Sequence, residues 1–160
     1  MGLGMKIEKI INGKLVDPDM EIEEFEQLLS EIIKSNNSEY IRALYLAFDD
    51  RFELPDYGMS LLHTVEHSRI MFGDEKGFNM FIEMLPKMLP HAQQWTEWIH
   101  ARILNEEISR KIYANLVSNA DPNLQKLVIT IINQLKEESP SHYVSAIEVL
   151  SIIEARTGEQ

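Results

Sequence analysis

Apolar side chains recur at intervals of three and four residues along most of the chain, which is the spacing of one side of an α-helix. Proline, glycine and short polar stretches divide this pattern into segments of ordinary helix length. We therefore predict an all-α fold of about eight helices. Seven of the predicted stripes consist of Ile22, Phe25, Leu28, Leu29, Ile32 and Ile33; Ile41, Leu44, Tyr45 and Phe48; Phe78, Phe81, Ile82 and Leu85; Ala92, Trp95, Trp98, Ile99 and Ile103; Ile108, Ile112, Leu116 and Val117; Leu124, Leu127, Val128, Ile131, Ile132 and Leu135; and Tyr143, Ala146, Ile147, Leu150 and Ile153.

Glycine and proline set the predicted ends of the third and fourth helices. The third helix is expected to run from about Met59 to Phe72, and Gly73 closes it. Pro86 and Pro90 are expected to interrupt the chain after a shorter fourth helix, because proline removes a backbone N–H and its ring clashes with the preceding turn.

Two later helices are predicted from a capping residue followed by proline. Asp121 precedes Pro122, and Ser139 precedes Pro140. A short polar side chain can accept hydrogen bonds from the first backbone N–H groups of a helix, and proline suits the first helical position because no N–H is needed there. We therefore predict that a helix begins at each of these two points.

Successive pairs of predicted helices repeat about every 35 to 40 residues, which is the length of a two-helix solenoid repeat. No repeated sequence signature accompanies this spacing. We predict antiparallel pairs in a HEAT-like right-handed stack, with a helical bundle as the alternative. A length of 160 residues suits a single domain, which we place at residues 17–158.

The first 16 residues follow a different pattern. KIEKII and KLV flank Asn12 and Gly13, a pair that favours a tight turn between two strands. Two strands alone are only marginally stable, so a hairpin here needs support from a helix. We predict that residues 1–16 form a short N-terminal β-hairpin flap or a loose segment.

The chain is acidic and contains no cysteine. It has 26 Asp and Glu against 15 Lys and Arg, a net charge of −11, and no base occurs between Asp17 and Glu31. This charge repels phosphate backbones and attracts basic proteins, so we do not expect nucleic acid as a ligand. The lack of cysteine excludes disulfides, thiolate metal sites and a cysteine nucleophile. With no signal peptide and no apolar run long enough to cross a membrane, we expect a cytoplasmic protein.

One short motif, HTVEH, has the spacing of a zinc site. His63 and His67 stand four residues apart with Glu66 between them, which is the order found in inverted zinc peptidases. These side chains share one side of the helix, opposite the apolar stripe that begins with Leu61 and Val65. Two imidazoles could therefore bind one metal ion, although a catalytic zinc also needs a third protein ligand and an open position for water.

The zinc interpretation competes with a simpler one. Helices supply acids every few residues, so candidates for a third ligand exist whether or not a site does, and the inverted peptidases are much larger α/β proteins with an enclosed cavity. We favour an exposed or partner-facing helix surface without metal, and keep a hydrolase with His63 and His67 as metal ligands as the alternative. The candidates for the third ligand are Glu137, Glu138 and Glu148.

The remaining polar candidates favour structural roles. The chain has no phosphate-binding loop, dinucleotide fingerprint, serine-hydrolase elbow or calcium loop. Asp49 and Asp50 could act as a carboxylate pair, but adjacent acids at a helix end are more typical of a solvated terminus. Arg102 with Asn105 is interpreted as tying a helix end to its neighbour.

Aromatic residues and isolated histidines also have structural interpretations. Trp95 and Trp98 lie on an apolar stripe, and we predict that both belong to the core. His91 and His100 have no companion at ligand spacing, and we predict that they are surface or capping residues.

The order of several short motifs resembles the immunity protein 30 family of bacterial polymorphic toxin systems. The stretches are LAFDD at 46–50, MSLLHTVEH at 59–67 and HAQQWTEWIHARILNEEISRKIY at 91–113, and the resemblance covers roughly residues 40 to 135. The order and spacing of the motifs carry the resemblance. The corresponding residues are Asp49, Asp50, Leu61, Leu62, His63, Glu66, Ala92, Trp95, Arg102, Ile103, Leu104, Asn105, Arg110 and Tyr113.

This resemblance implies a protein without enzymatic activity or cofactor, which binds and neutralises a cognate toxin inside the producing cell. The acidic charge agrees with a basic, nuclease-type toxin, because opposite charge raises association rates. A general helical adaptor remains a further alternative, and self-association is left open. The predicted partner-binding residues are Asp49, Asp50, Glu53, Asp56, His63 and Glu66, and the predicted structural residues are Trp95, Arg102, Asn105 and Tyr113.

Overall fold

The structure is a computed structural model that describes residues 2–11, 21–51 and 55–157. These residues form nine α-helices, two short 3₁₀ turns and no strand, which confirms the all-α prediction. The 3₁₀ turns are Tyr45–Ala47 and Pro140–His142. The helices are α1 (Leu3–Ile11), α2 (Ile22–Ser35), α3 (Ser38–Leu44), α4 (Pro55–Phe72), α5 (Asp74–Met88), α6 (Gln93–Leu104), α7 (Glu107–Ser118), α8 (Pro122–Glu138) and α9 (Tyr143–Thr157).

The N-terminal segment is helical where the first strand of a hairpin was predicted. Leu3–Ile11 forms α1, so the strand assigned to KIEKII is wrong. Ile7 and Ile10 are both buried, and their three-residue spacing puts them on one side of a helix that packs against α2 and α3. The predicted turn at Asn12 and Gly13 lies outside the described residues.

The chain divides into two compact units, Met1–Gln93 and Gln94–Gln160. The first contains α1 to α5, and the second contains α6, from Gln94 onward, to α9. The single domain at 17–158 and the HEAT-like right-handed stack remain predictions. Within the ranges that the structure describes, no helix combines the length and the apolar character needed to cross a membrane.

In the first unit, α4 packs against α2, α3 and α5. The ring of Phe25 on α2 lies 5.3 Å from that of Tyr57 on α4, between centroids. The ring of Tyr45 stacks on that of Phe81 from α5 at 5.7 Å. These contacts join the helices that hold α4 in place. The buried apolar residues of α2, α3, α4 and α5 are Phe25, Leu28, Leu29, Ile32, Ile41, Leu44, Leu61, Leu62, Val65, Phe78, Met80, Phe81, Ile82, Met84, Leu85 and Met88.

A glycine permits the close approach of α5 to α4. A Cβ atom added to Gly77 would lie 2.6 Å from Cγ of Arg69 and 3.2 Å from its Cα. The Arg69 guanidinium lies over the Phe78 ring, 4.7 Å from its centroid, and Nε lies 3.7 Å from Oδ1 of Asp74. A side chain at position 77 would therefore force the two helices apart or displace Arg69.

Prolines act differently from the prediction at two helix ends. Pro86 lies inside the last turn of α5 and does not end that helix, because buried Met88 holds the turn against the core. Pro140 begins a 3₁₀ turn, and α9 starts only at Tyr143, since Ser139 forms no side-chain cap. Asp121 does cap α8 as predicted, with Oδ1 accepting a hydrogen bond from the Asn123 N–H at 2.8 Å.

In the second unit, α9 packs against α7 and α8. Arg110 on α7 donates from Nε to Oε2 of Glu148 on α9 at 2.7 Å, and from Nη1 to the Leu104 carbonyl at 3.3 Å. One guanidinium thus links α7 to α9 and to the end of α6. Trp95 is buried, but Trp98 is 51% exposed, so the prediction that Trp98 belongs to the core is wrong. Its helical position points outward, and its ring makes an edge contact with that of Trp95, 5.0 Å between centroids.

His100 is fully buried, and its predicted surface position is wrong. Nδ1 lies 2.6 Å from the Thr96 carbonyl, and Nε2 lies 2.6 Å from the Tyr113 hydroxyl. Because a carbonyl can only accept, Nδ1 carries the hydrogen, and Nε2 accepts from the Tyr113 hydroxyl. Burial lowers the pKa of His100 to about 4, so the ring is neutral at pH 7.

Candidate functional site

The HTVEH motif lies on the outward side of α4. Leu61, Leu62 and Val65 are buried, whereas His63 is exposed, as the helical spacing predicted. Asp56 lies on the side of α4 opposite these buried residues, and it is also exposed. Glu66 and His67 are half-buried. Three of the predicted partner-binding residues, Asp56, His63 and Glu66, therefore reach the surface from one helix.

The hydroxyl groups of two polar residues on the inner side of α4 donate their hydrogen bonds to backbone carbonyls of the same helix. The Thr64 hydroxyl donates to the Ser60 carbonyl at 2.8 Å, and the Ser68 hydroxyl donates to the Val65 carbonyl at 2.5 Å. These bonds let the inner side pack as an apolar surface. The Ser60 hydroxyl donates to Oε1 of Glu26 on α2 at 3.1 Å, which helps to fix the rotation of α4.

Neither imidazole of the motif has a hydrogen bond or ion pair with any described residue. Across 2–11, 21–51 and 55–157, no group of three or more His, Asp or Glu side chains could hold a metal ion. Of the predicted third ligands, Glu148 pairs with Arg110, and Glu138 accepts from Gln134 Nε2 at 3.0 Å. The described donor set is therefore the pair of imidazoles alone, and it lacks the third ligand that a catalytic zinc needs.

The predicted acidic pair divides into one buried and one half-buried residue. Asp49 is only 8% exposed, and Arg51 covers its carboxylate with a bidentate contact, Nη2 to Oδ2 at 2.7 Å and Nε to Oδ1 at 3.0 Å. This hydrogen-bonded guanidinium holds the pKa of Asp49 below its usual value. Asp50 is half-buried, and its N–H donates to the His91 carbonyl at 2.8 Å. Glu53 lies outside the described residues.

Glu66 lies in a charged environment at the edge of the core. Burial raises the pKa of the Tyr45 hydroxyl, the charge of Arg69 lowers it, and the charge of Glu66 raises it. Both charges therefore act on the same buried hydroxyl. Glu66 is thus half-buried and close enough to the Tyr45 hydroxyl for its charge to raise the pKa of that group.

Two residues of this surface were missed by the sequence analysis. Ile70 follows His63 by seven residues and is 81% exposed. The helical spacing could have placed it on the outward side with His63, but no prediction names Ile70. Arg51 was missed because nothing in the local sequence distinguishes a paired arginine from a solvated one. Its side chain is 74% exposed while its guanidinium holds Asp49.

The predicted structural residues divide between the interior and the surface. Trp95 and Tyr113 are buried, and Arg102 and Asn105 are exposed. The contact that ties the end of α6 to its neighbour comes from Arg110, which the sequence analysis named only as part of a motif. The tying role of Arg102 and Asn105 remains a prediction.

Comparison with known families decides the identity of the chain. The family described as Immunity protein 30 matches residues 12–113, more than half of the chain. The chain belongs to the immunity protein 30 family. Neither the curated proteins nor the solved structures give a match to it.

The immunity protein 30 match begins and ends earlier than the resemblance drawn from the motifs, which ran from about residue 40 to about residue 135. It includes the acid-rich stretch from Asp17 to Glu31, which that resemblance left out. It contains the whole of α4 and reaches Tyr113 on α7, while α8 and α9 lie beyond it. The outward side of α4 is thus part of the family segment.

Proposed function

We propose that this protein binds a cognate bacterial toxin domain and neutralises it by occupying its surface, without catalysis. Membership of the immunity protein 30 family carries the proposal. In this proposal the protein acts in the cytoplasm of the cell that produces the toxin, as part of a polymorphic toxin system.

The proposed toxin is basic and of the nuclease type. The chain has a net charge of −11, and opposite charge on two proteins raises their association rate. Carboxylates also resemble the phosphates that a nuclease binds. The charge supports a basic partner, whereas the family supports a toxin, and the two arguments are independent of each other.

The proposed contact surface includes Asp50, Asp56, His63 and Glu66. Asp56 and His63 are exposed, and Asp50 and Glu66 are half-buried. Asp49 differs from these residues because its carboxylate accepts hydrogen bonds from the guanidinium of Arg51, so this part of the proposed surface presents an ion pair. Glu53, which lies outside the described residues, stays a predicted contact residue on the basis of the sequence alone.

Coexpression with the toxin tests this function. The probe is the C-terminal domain of a large secreted protein encoded beside this gene, produced from an inducible promoter in a bacterial host. We expect the toxin domain to stop growth and the protein to restore it. Growth arrest that persists with abundant soluble protein would contradict the proposal.

Measured binding tests the acidic surface separately. The Asp56→Asn and Glu66→Gln variants remove charge while keeping side-chain size, so we expect slower association and a weaker dependence of the rate on salt. The matched control is Glu154→Gln, an exposed acid on α9 beyond the family match. If the control lowers the association rate as much as the two variants, the surface on α4 is not the site of contact.

A further inference from the structure

The outward side of α4 presents one aliphatic side chain almost entirely to solvent. Ile70 is 81% exposed, and it follows Glu66 by four residues and His63 by seven, so the three share one side of the helix. Among the described residues of the first unit, Met5 is the only other large apolar residue of comparable exposure. Apolar residues therefore lie on both sides of α4, in contrast to the strongly one-sided α2.

The charges of the acidic and basic residues on the outward side of α4 have one sign. The outward positions of α4 include Asp56 and Glu66 but no Lys or Arg. Arg69, the neighbouring base, is directed toward α5, where its guanidinium lies 4.7 Å from the centroid of the Phe78 ring. Of these two acids, Glu66 lies one helical turn before Ile70, whereas Asp56 lies about 21 Å away along the helix axis, so Glu66 supplies the negative charge beside the apolar side chain.

We propose that Ile70 is the apolar anchor of the toxin contact, and that it enters an apolar pocket on the toxin whose rim is basic. This inference rests on the proposed function and adds the residue that holds the complex together. Interfaces concentrate their binding energy in a few central side chains, while the charged rim sets the rate of encounter. His63 and His67 precede this anchor by seven and three residues on α4, and their imidazoles have no hydrogen-bond partner among the described residues, so they can bond across the contact.

A second exposed apolar group, on α9, fits this role less well. It consists of Tyr143, Val144 and Ile147, of which Val144 is 78% exposed. α9 lies outside the family match, and its acid Glu148 is already paired with Arg110. α4 lies wholly inside the match and has the acid Glu66 one turn before the anchor.

The experiment compares two substitutions of equal character. Ile70→Ser and Val144→Ser each replace an aliphatic side chain of similar exposure, 81% and 78%, by a small polar one. Each variant is tested against the purified neighbouring toxin domain by surface plasmon resonance, and circular dichroism melting confirms that each is folded. We expect Ile70→Ser to dissociate about ten to a hundred times faster with little change in association rate, and Val144→Ser to behave like the unsubstituted protein.

The outcomes separate the anchor from the function. If the unsubstituted protein binds the toxin and Ile70→Ser dissociates at the same rate, the anchor is overturned and the proposed function stands. If Val144→Ser alone dissociates faster, the contact lies on α9 and the anchor is again overturned. If the unsubstituted protein does not bind the toxin domain at all, the proposed function fails together with the anchor.

Discussion

The buried pair of His100 and Tyr113 makes the stability of the second unit depend on pH in a defined direction. In the unfolded chain an imidazole titrates near 6.5, whereas burial lowers the folded pKa of His100 to about 4. Between these values the unfolded state binds a proton that the folded state does not, so stability falls as the pH falls. One proton over about two pH units, from 6.5 to 4.5, corresponds to a loss of about 2 to 3 kcal/mol in the free energy of unfolding.

Urea denaturation, followed by circular dichroism at several pH values between about 7 and about 4.5, measures this loss. The hydrogen-bonded carboxylate of Asp49 contributes little in this window, because the stability that its lowered pKa supplies is lost mainly as the pH falls below the ordinary value of 3.8. Removing the imidazole identifies the source. The double variant His100→Leu with Tyr113→Phe removes both polar partners together, so we expect it to lose most of the pH dependence over this range.

Single substitutions test the hydrogen bond apart from the titration. Tyr113→Phe keeps the ring and leaves Nε2 of His100 without its donor, so we expect a loss of about 1–3 kcal/mol at neutral pH with the pH dependence retained. The double variant should be less destabilised than the sum of the two single variants. An unchanged pH dependence in the double variant would refute the assignment of the effect to His100.

Three further substitutions test the packing and the caps by urea denaturation. We expect Gly77→Ala to destabilise the protein by about 1 kcal/mol or more, because the clash with α4 exceeds the gain of about 1 kcal/mol in helix propensity. Gly4→Ala, whose added Cβ would lie at an ordinary contact distance of 3.9 Å from the Tyr40 hydroxyl, should not destabilise it, and equal behaviour would contradict the close approach. Arg110→Ala should cost about 1.5–3 kcal/mol through its two partly buried hydrogen bonds. Lys111→Ala, at an exposed ion pair, should destabilise the protein less, and the reverse order would refute the link. Asp121→Ala should cost about 1 kcal/mol by removing the cap of α8, and no change would mean that the cap contributes nothing.

Most of the fold followed from the apolar spacing, because each helix must bury one side. Ile32 and Leu28 of α2 are buried as their stripe predicts, and Asn36 ends that helix in the left-handed conformation, which asparagine tolerates. The failures occurred where tertiary packing outweighs local signals. α5 continues beyond Pro86 to the buried Met88. Ile10 belongs to α1, although the turn-favouring pair Asn12 and Gly13 follows it in sequence.

The candidate site was only partly predictable, because side-chain direction depends on partners far along the chain. The position of His63 on the surface came from helical spacing alone. The burial of His100 did not, since its partner Tyr113 lies thirteen residues away on the next helix. The exposure of Ile70 and Trp98 ran against the general preference of large apolar residues for the interior.

The contact between Arg51 and Asp49 changes how substitutions of the neighbouring acids Asp49 and Asp50 must be interpreted. Replacing Asp50 removes one negative charge from a half-buried position, whereas replacing Asp49 also deprives an outward-reaching guanidinium of its carboxylate. Replacing Asp49 therefore leaves the Arg51 guanidinium without its carboxylate partner, in addition to removing one negative charge. A toxin that dissociates from an Asp49 variant would then be responding to a new positive charge, and the neutral double substitution of positions 49 and 51 is the proper reference for any such measurement.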